Sequence, residues 1–320
     1  MRAQAVAQPN IALVKYWGKR DAARNLPSTG SLSLTLDTLW TKMAIELEEA
    51  AEADTLTVNG AANGKMLGRI STCLDRLLGP RRAKAAVASE SNFPIAAGLA
   101  SSSSAFAALV MAASAAAESP ADTLSLARSA GASSGSAARS FHEGIVELHA
   151  DDHEIDVRSI ASVEEWPLRV VIAVTEAAPK AVGSAEAMIR SAATSPFYRS
   201  WVERQDEDLS LAREAVRNRD FEKLAAVSEH NCLKMHSIMW TSRPPVVYWN
   251  EATLNAMETV VELERSGVPV FFTIDAGPQV KAVCLPSACD AVGAALAATG
   301  GVTKVIVSGL GRGARLLEHG

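Results

Sequence analysis

Four cysteines in 320 residues are too few for a disulfide framework. The close pair, Cys284 and Cys289, lacks the two-residue spacing of a zinc knuckle or a redox dithiol. Reduced thiols and a cytoplasmic location are the expectation. Positive charge is not in excess either, since 31 Lys and Arg against 36 Asp and Glu leave a net charge of −5. Such a balance provides no global field to attract nucleic acid or an anionic membrane, so any anionic ligand must be gripped by a local basic site. Long apolar runs are missing. The most apolar stretch, residues 105–117, is shorter than the roughly 20 residues that span a bilayer and is broken by Ser114, so it predicts a buried helix. Residues 1–10 have no apolar segment of the secretory-leader kind, and none is expected.

What is there reads as a globular enzyme. Hydrophobic residues make up 48% and charged residues 21%. At about 150 residues per domain the length suggests two domains, and residues 164–167 are the candidate boundary between units 1–166 and 167–320. Period-two alternation predicts strands over 31–36 and 43–47, and Asn59-Gly60 closes a hairpin-like turn after 55–58. Helical spacing predicts helices over 67–78, from Ser101 onward, over 195–217 and over 221–236, the last capped by Asp220. Asp122 caps another helix, and a helix over 253–266 is closed by Gly267 with Pro269 beyond. Apolar strands are predicted over 168–175, 270–274, 280–285 and 302–308. Strands and helices mix without a regular alternation, which favours an α+β fold.

Four segments carry chemistry. Residues 94–104 run from a strand through Gly98 into four serines that open a helix. Backbone N–H groups at a helix start, flanked by small side chains, cradle phosphate, although no Walker A ending or GxGxxG pattern is present. Residues 131–140 read as a loop of small and hydroxyl residues ending in Arg139, whose guanidinium can grip a carboxylate or phosphate in two places. The ordinary alternative is a surface arginine. Asp275 stands at the end of an apolar strand before Gly277-Pro278, placed to point into a cleft, or else to make an Asx turn. Lys15, Lys19 and Arg20 flank Tyr16 and Trp17, a grouping that suits an anionic ligand or a solvated charge run. His149 and His153, among Asp151, Asp152 and Glu154, read as an exposed turn.

With these segments in hand, the chain resembles the mevalonate diphosphate decarboxylases of the galactokinase, homoserine kinase, mevalonate kinase and phosphomevalonate kinase superfamily. The likeness runs in order through Asn10-Ile11-Ala12, residues 15–21, 94–104 and 134–140, then Met235-His236, Pro244-Pro245, Tyr248 and residues 272–278. It implies an N-terminal α+β domain and a C-terminal ferredoxin-like domain with the active site between them, and a homodimer acting on a small molecule. It also implies ATP-dependent decarboxylation of mevalonate 5-diphosphate to isopentenyl diphosphate. In that scheme Asp275 orients the substrate hydroxyl and accepts its proton, Lys15 holds Asp275 ionised, and Arg139 fixes the substrate carboxylate. Tyr16, Lys19, Ser134, Gly135, Ser136 and Ser184 surround the 5-diphosphate. Ala97, Gly98, Leu99, Ala100, Ser101, Ser102 and Ser103 carry the ATP phosphates, with Mg²⁺ held mainly by those phosphates and Ser102 as the protein hydroxyl placed to join it.

Two positions depart from the family pattern. Ala185 stands where relatives carry threonine or arginine, and Gln279 where asparagine is usual. Ala185 removes a charge-assisted hydrogen bond worth roughly 1.5–3 kcal/mol, which keeps a mevalonate 5-phosphate decarboxylase open as an alternative. A 3-hydroxyl kinase that stops at the phosphorylated product and a nucleotide-binding sensor are the others. The presence of Lys19 favours the diphosphate, and that of Asp275, Lys15 and Arg139 together disfavours the sensor.

Overall fold

The computed structural model describes residues 1–94, 98–176, 178 and 180–317. The first half runs β1 (Arg2–Ala7), β2 (Asn10–Val14), β3 (Lys19–Asp21), β4 (Leu26–Pro27), β5 (Ser31–Thr35), β6 (Thr41–Glu48), β7 (Thr55–Val58), β8 (Ala61–Ala62), α1 (Gly64–Leu78), β9 (Lys84–Ser91), α2 (Ser101–Ala116) and α3 (Thr123–Ser133). A 3-10 helix (Gly135–Phe141), β10 (Ile145–Ala150) and β11 (Ile155–Ala161) complete it. The second half runs β12 (Arg169–Val174), α4 (Ser184–Thr194), α5 (Tyr198–Asn218), α6 (Phe221–Trp240), α7 (Glu251–Arg265), β13 (Val270–Ile274), β14 (Val280–Cys284), α8 (Cys289–Ala298), β15 (Lys304–Ser308) and β16 (Arg315–Leu316).

The N-terminal half holds two main sheets besides the small β3-β4 pair. One has the order β16-β1-β6-β9-β7-β8, the other β11-β10-β5-β2. In β6, Thr41, Met43, Ile45 and Leu47 are buried while the residues between them are not, the alternation of a sheet with one covered face. The core on that face is filled by α2, which is buried on nearly every side and alanine-rich, so that strands can approach it closely. Every residue of β2 and β5 is buried. Their side chains Ile11, Leu13, Leu32 and Leu34 enter a second core shared with Val170, Ile172, Phe271 and Val283 of the C-terminal half. This shared core fixes the ends of β2 and β13 side by side.

The C-terminal sheet has the order β13-β14-β12-β15 and is antiparallel throughout. Its four strands, taken in chain order, therefore lie 2-3-1-4, with helices before the second and the fourth. That is the split β-α-β pattern of a ferredoxin-like domain, with four helices in the first connection instead of one. One face packs against α7 and α8 through Ala173, Ile274, Val280 and Ala282. Lys281 and Val283 alternate with these and face the opposite way, toward the N-terminal half.

Three sequence expectations change. Residues 131–140 are not a loop: α3 continues to Ser133 and the 3-10 helix follows. The helix expected over 195–217 begins at Tyr198, and a separate α4 precedes it. The buried positions of α4 are Ala187, Met188 and Ser191, mostly small, so its apolar stripe is faint in the sequence. The chain's last strand, β16, does not stay with the second half but pairs antiparallel with β1. Among the described residues no helix is long and apolar enough to cross a membrane.

Candidate active site

Lys15 follows β2 and Asp275 follows β13, so the shared core delivers both to one point. Lys15 Nζ, 1% exposed, donates to Asp275 Oδ1 at 2.8 Å and to the Ala12 carbonyl at 2.7 Å. Its backbone is clamped as firmly. The Lys15 N–H donates to Asn231 Oδ1 at 2.7 Å, and Gln205 Nε2 donates to the Lys15 carbonyl at 2.8 Å. Asn231 Nδ2 in turn donates to Gln205 Oε1 and Asp208 Oδ2. A second lysine, Lys281, is fully buried with Nζ 3.5 Å from Asp275 Oδ2. Burial pushes the Asp275 carboxyl up, but Lys15, Lys281 and Arg139 together hold it down at about 2. It is therefore a carboxylate at neutral pH, and its Oδ2 is buried with no hydrogen-bond donor among the described residues.

Arg139 lies on the buried side of the 3-10 helix at 2% exposure. Its guanidinium donates to Ser31 Oγ at 2.6 Å, Ser33 Oγ at 2.9 Å and Asn10 Oδ1 at 3.1 Å, all neutral oxygens. Asn10 is itself fixed by donating to Ser140 Oγ and the Ser136 carbonyl. Among the described residues no carboxylate forms an ion pair with Arg139. Burial pushes it down to about 10, opposed by Asp275 and Tyr16, so it remains a cation. A buried cation held only by neutral groups is costly to the fold and is matched by an anionic ligand.

Tyr16 packs against Gly135: a Cβ there would lie 2.4 Å from the Tyr16 ring, so Gly135 serves by being small. Burial raises the Tyr16 hydroxyl to about 12, keeping it a neutral donor, and it too has no hydrogen-bond partner among the described residues. Gly18 has φ +107° and its missing Cβ would collide with Tyr198 Oη, which explains the glycine after Trp17. Lys19 is lowered by burial and then by the positive charge of Arg69 on α1. Neither cation is ion-paired with an acidic side chain among the described residues, so the pair forms a local basic site. Ser184 opens α4 and its hydroxyl accepts from Lys180 Nζ at 2.6 Å. Lys180, which also donates to the Ala276 carbonyl at 2.8 Å, is pushed down to about 8 by burial and by Lys281, with Asp275 opposing.

At the phosphate loop, Gly98 has φ +84° and Ala100 φ +53°, and α2 starts without a side-chain cap. A helix start of this kind suits an anion. Ser134 Oγ donates to Ser102 Oγ at 3.2 Å, which joins the two hydroxyl-rich segments. Ser103 is fully buried and its hydroxyl donates to the Ala100 carbonyl at 2.7 Å while accepting from the Asn10 N–H at 3.4 Å. Leu99 is likewise buried in the core. Both hold the loop from inside, whereas Ser101 and Ser102 are half-buried. Ala97 lies outside the described residues. Gln279, fully buried, accepts from the Thr175 N–H at 2.7 Å and so ties the end of β12 to the turn carrying Asp275.

Several members of this site escaped the sequence reading: Lys281, Lys180, Arg69, Asn231, Gln205 and Asp208. A lysine in a short apolar strand looks like an ordinary edge residue, and amides in helices carry no motif. His236 Nε2 lies 3.2 Å from the Ile274 carbonyl, beside the residue before Asp275, and 3.3 Å from Trp249 Nε1, and burial holds the ring at about 3 and so neutral. His149 and His153 sit by an exposed turn in which Asp151 Oδ1 accepts from the His153 and Glu154 N–H groups.

Comparison with known proteins identifies the family. Residues 7–161 match the diphosphomevalonate decarboxylase-like N-terminal domain, and residues 170–315 the mevalonate 5-diphosphate decarboxylase C-terminal domain. The diphosphomevalonate decarboxylase of Gibberella zeae is 35% identical over 303 residues, covering 87% of this chain and 79% of that one. The structure of mevalonate diphosphate decarboxylase from Staphylococcus aureus superposes with a TM-score of 0.92 at 33% identity, over 99% of this chain and 98% of that one. A solved complex of MDDEF with MVAPP, AMPPCP and magnesium gives a TM-score of 0.92 at 31% identity, over 100% of this chain and 99% of that one. With both domains matched in order along nearly its whole length, this chain belongs to the diphosphomevalonate decarboxylase family.

Proposed function

We propose that the chain catalyses ATP-dependent decarboxylation of mevalonate 5-diphosphate to isopentenyl diphosphate, releasing ADP, phosphate and carbon dioxide. The observation that carries this is Asp275, a buried carboxylate with Oδ1 committed to Lys15 and Oδ2, 3.5 Å from the Lys281 ammonium, accepting no hydrogen bond among the described residues. The substrate's tertiary hydroxyl is a poor leaving group. Asp275 Oδ2 accepts its proton as the hydroxyl oxygen bonds to the γ-phosphorus of ATP and the bond to the ADP oxygen breaks. Lys15 keeps Asp275 ionised and offsets charge beside the transferred group. Phosphate then leaves C3 with its electron pair. The carboxylate, aligned by Arg139, loses carbon dioxide and its bonding pair forms the alkene.

The start of α2 offers hydroxyls and backbone N–H groups, which suit ATP phosphates and a hard cation that keeps most of its waters. Mg²⁺ fits that donor set with Ser102 beside it, and when bound it neutralises phosphate charge. Tyr16, Lys19, Ser134 and Ser136 receive the 5-diphosphate. Lys19 and Arg69 supply two cations there, which offsets the charge that Ala185 lacks.

Asp275→Asn tests this reading. It should lower kcat at least about 1,000-fold, within the range a general base contributes, with release of ADP and of carbon dioxide falling together. Affinity for β,γ-methylene ATP should stay within about threefold, because Asp275 does not hold the nucleotide. A variant keeping more than about a tenth of the parent kcat, a loss under roughly 1.4 kcal/mol, would overturn the assignment.

A further inference from the structure

Lys281 has no task in the steps above. A lysine in the middle of a central strand and 0% exposed is expensive unless its ammonium is compensated. Two groups compensate it. Nζ donates to the Gly98 carbonyl at 2.9 Å and lies 3.5 Å from Asp275 Oδ2. Gly98 belongs to the phosphate loop of the N-terminal half, and Asp275 to the turn after β13. These two segments also touch directly, since a Cβ on Gly98 would sit 3.0 Å from Gly277 Cα. Lys281 therefore stands behind the seam where the loop meets the turn.

Among the described residues, the other charged or titratable groups around Asp275 do not bridge that seam. Lys15 bonds Ala12 and Asp275, Lys180 bonds Ser184 and Ala276, and Arg139 is held by Asn10, Ser31 and Ser33. On α6, His236 and the Cys232 thiol both contact the Ile274 carbonyl.

We infer that Lys281 is a positioning residue that registers the phosphate loop to the base, fixing the Gly98 carbonyl and Asp275 Oδ2 with one ammonium. It touches neither nucleotide nor substrate. Loop order and carboxylate alignment are then set together, so that losing this one amine damages nucleotide binding and the chemical step at once. The inference rests on the reading of Asp275 given above.

Lys281→Met removes donor and charge while filling the space. It should weaken binding of β,γ-methylene ATP with magnesium about tenfold, the low end for a lost charge-assisted hydrogen bond, and lower kcat at saturating ATP by at least about tenfold. Lys281→Gln, whose amide is one bond too short to reach both partners, should show the same paired losses and carries the test if the methionine variant does not fold. Lys281→Arg should recover part of both. Reduced thermal stability with kcat per folded molecule and analogue affinity unchanged would make Lys281 merely structural and overturn the inference. Loss of only one of the two would overturn it as well. Asp275→Asn measured alongside separates the two readings. If it turns over, the assignment of Asp275 fails. If it is inactive while both Lys281 variants match the parent, only the role of Lys281 fails.

Discussion

At the scale of single residues, Arg139 shows how a site announces itself through energetic cost. Its guanidinium is buried, ringed by Asn10, Ser31 and Ser33, and without an ion-paired carboxylate among the described residues. Arg139→Gln should therefore lower kcat by at least about 100-fold, close to 3 kcal/mol of lost carboxylate alignment, while KM for ATP changes little. Steady-state kinetics check this, and a loss below about tenfold would contradict it. Lys15, Arg139 and Asp275 were legible in the sequence because each sits in a dense local pattern: a cation beside aromatics, an arginine after small residues, an aspartate before Gly-Pro. Lys281, Asn231 and Gln205 were not. Their meaning comes from contacts across long sequence separations, such as that between Lys281 and Gly98 or between Gln205 and Lys15. No local pattern encodes those.

At the scale of elements, α6 carries one buried and one half-buried titrating group whose effects oppose. Burial holds His236 at about 3, against 6.5 for a free histidine. Between those values the unfolded chain binds a proton that the folded chain does not, so the stability His236 contributes above pH 6.5 is lost as pH falls. Burial raises Glu229 from 4.5 to about 7, with Glu264 adding to the rise and the Phe272 N–H opposing it. There the folded chain keeps a proton that the unfolded chain has released, so Glu229 contributes stability below pH 4.5 that is lost as pH rises through 7. Glu229 thus offsets part of the acid destabilisation between about pH 4.5 and 6.5. Glu229→Gln removes that offset, and urea unfolding across this range should show a steeper decline than in the parent. An unchanged slope would contradict the account. The strands and most helices were legible because alternation and caps such as Asp122, Asp220 and Gly267 mark them. α4 was not, because small buried residues leave little periodic signal.

At the scale of the whole molecule, one core joins the two halves and places the ends of β2 and β13 together, so the site is a product of domain packing. The path of the chain after β15 reinforces this. Gly309 approaches Asp37 through an N–H to Oδ1 hydrogen bond of 2.8 Å, and β16 then joins the N-terminal sheet. A boundary drawn from composition near residues 164–167 has no means of seeing that return, which is a long-range pairing. The α+β class and the ferredoxin-like second half were within reach, the first from the mixed order of elements and the second from family likeness. The remaining claim is that this cleft uses ATP to drive decarboxylation of the diphosphate. The most direct test incubates the purified protein with Mg-ATP and either mevalonate 5-diphosphate or mevalonate 5-phosphate, measuring ADP and trapped carbon dioxide together. The account predicts one carbon dioxide per ADP with the diphosphate and a far lower kcat/KM with the monophosphate. ADP without carbon dioxide, or turnover of the monophosphate alone, would contradict it.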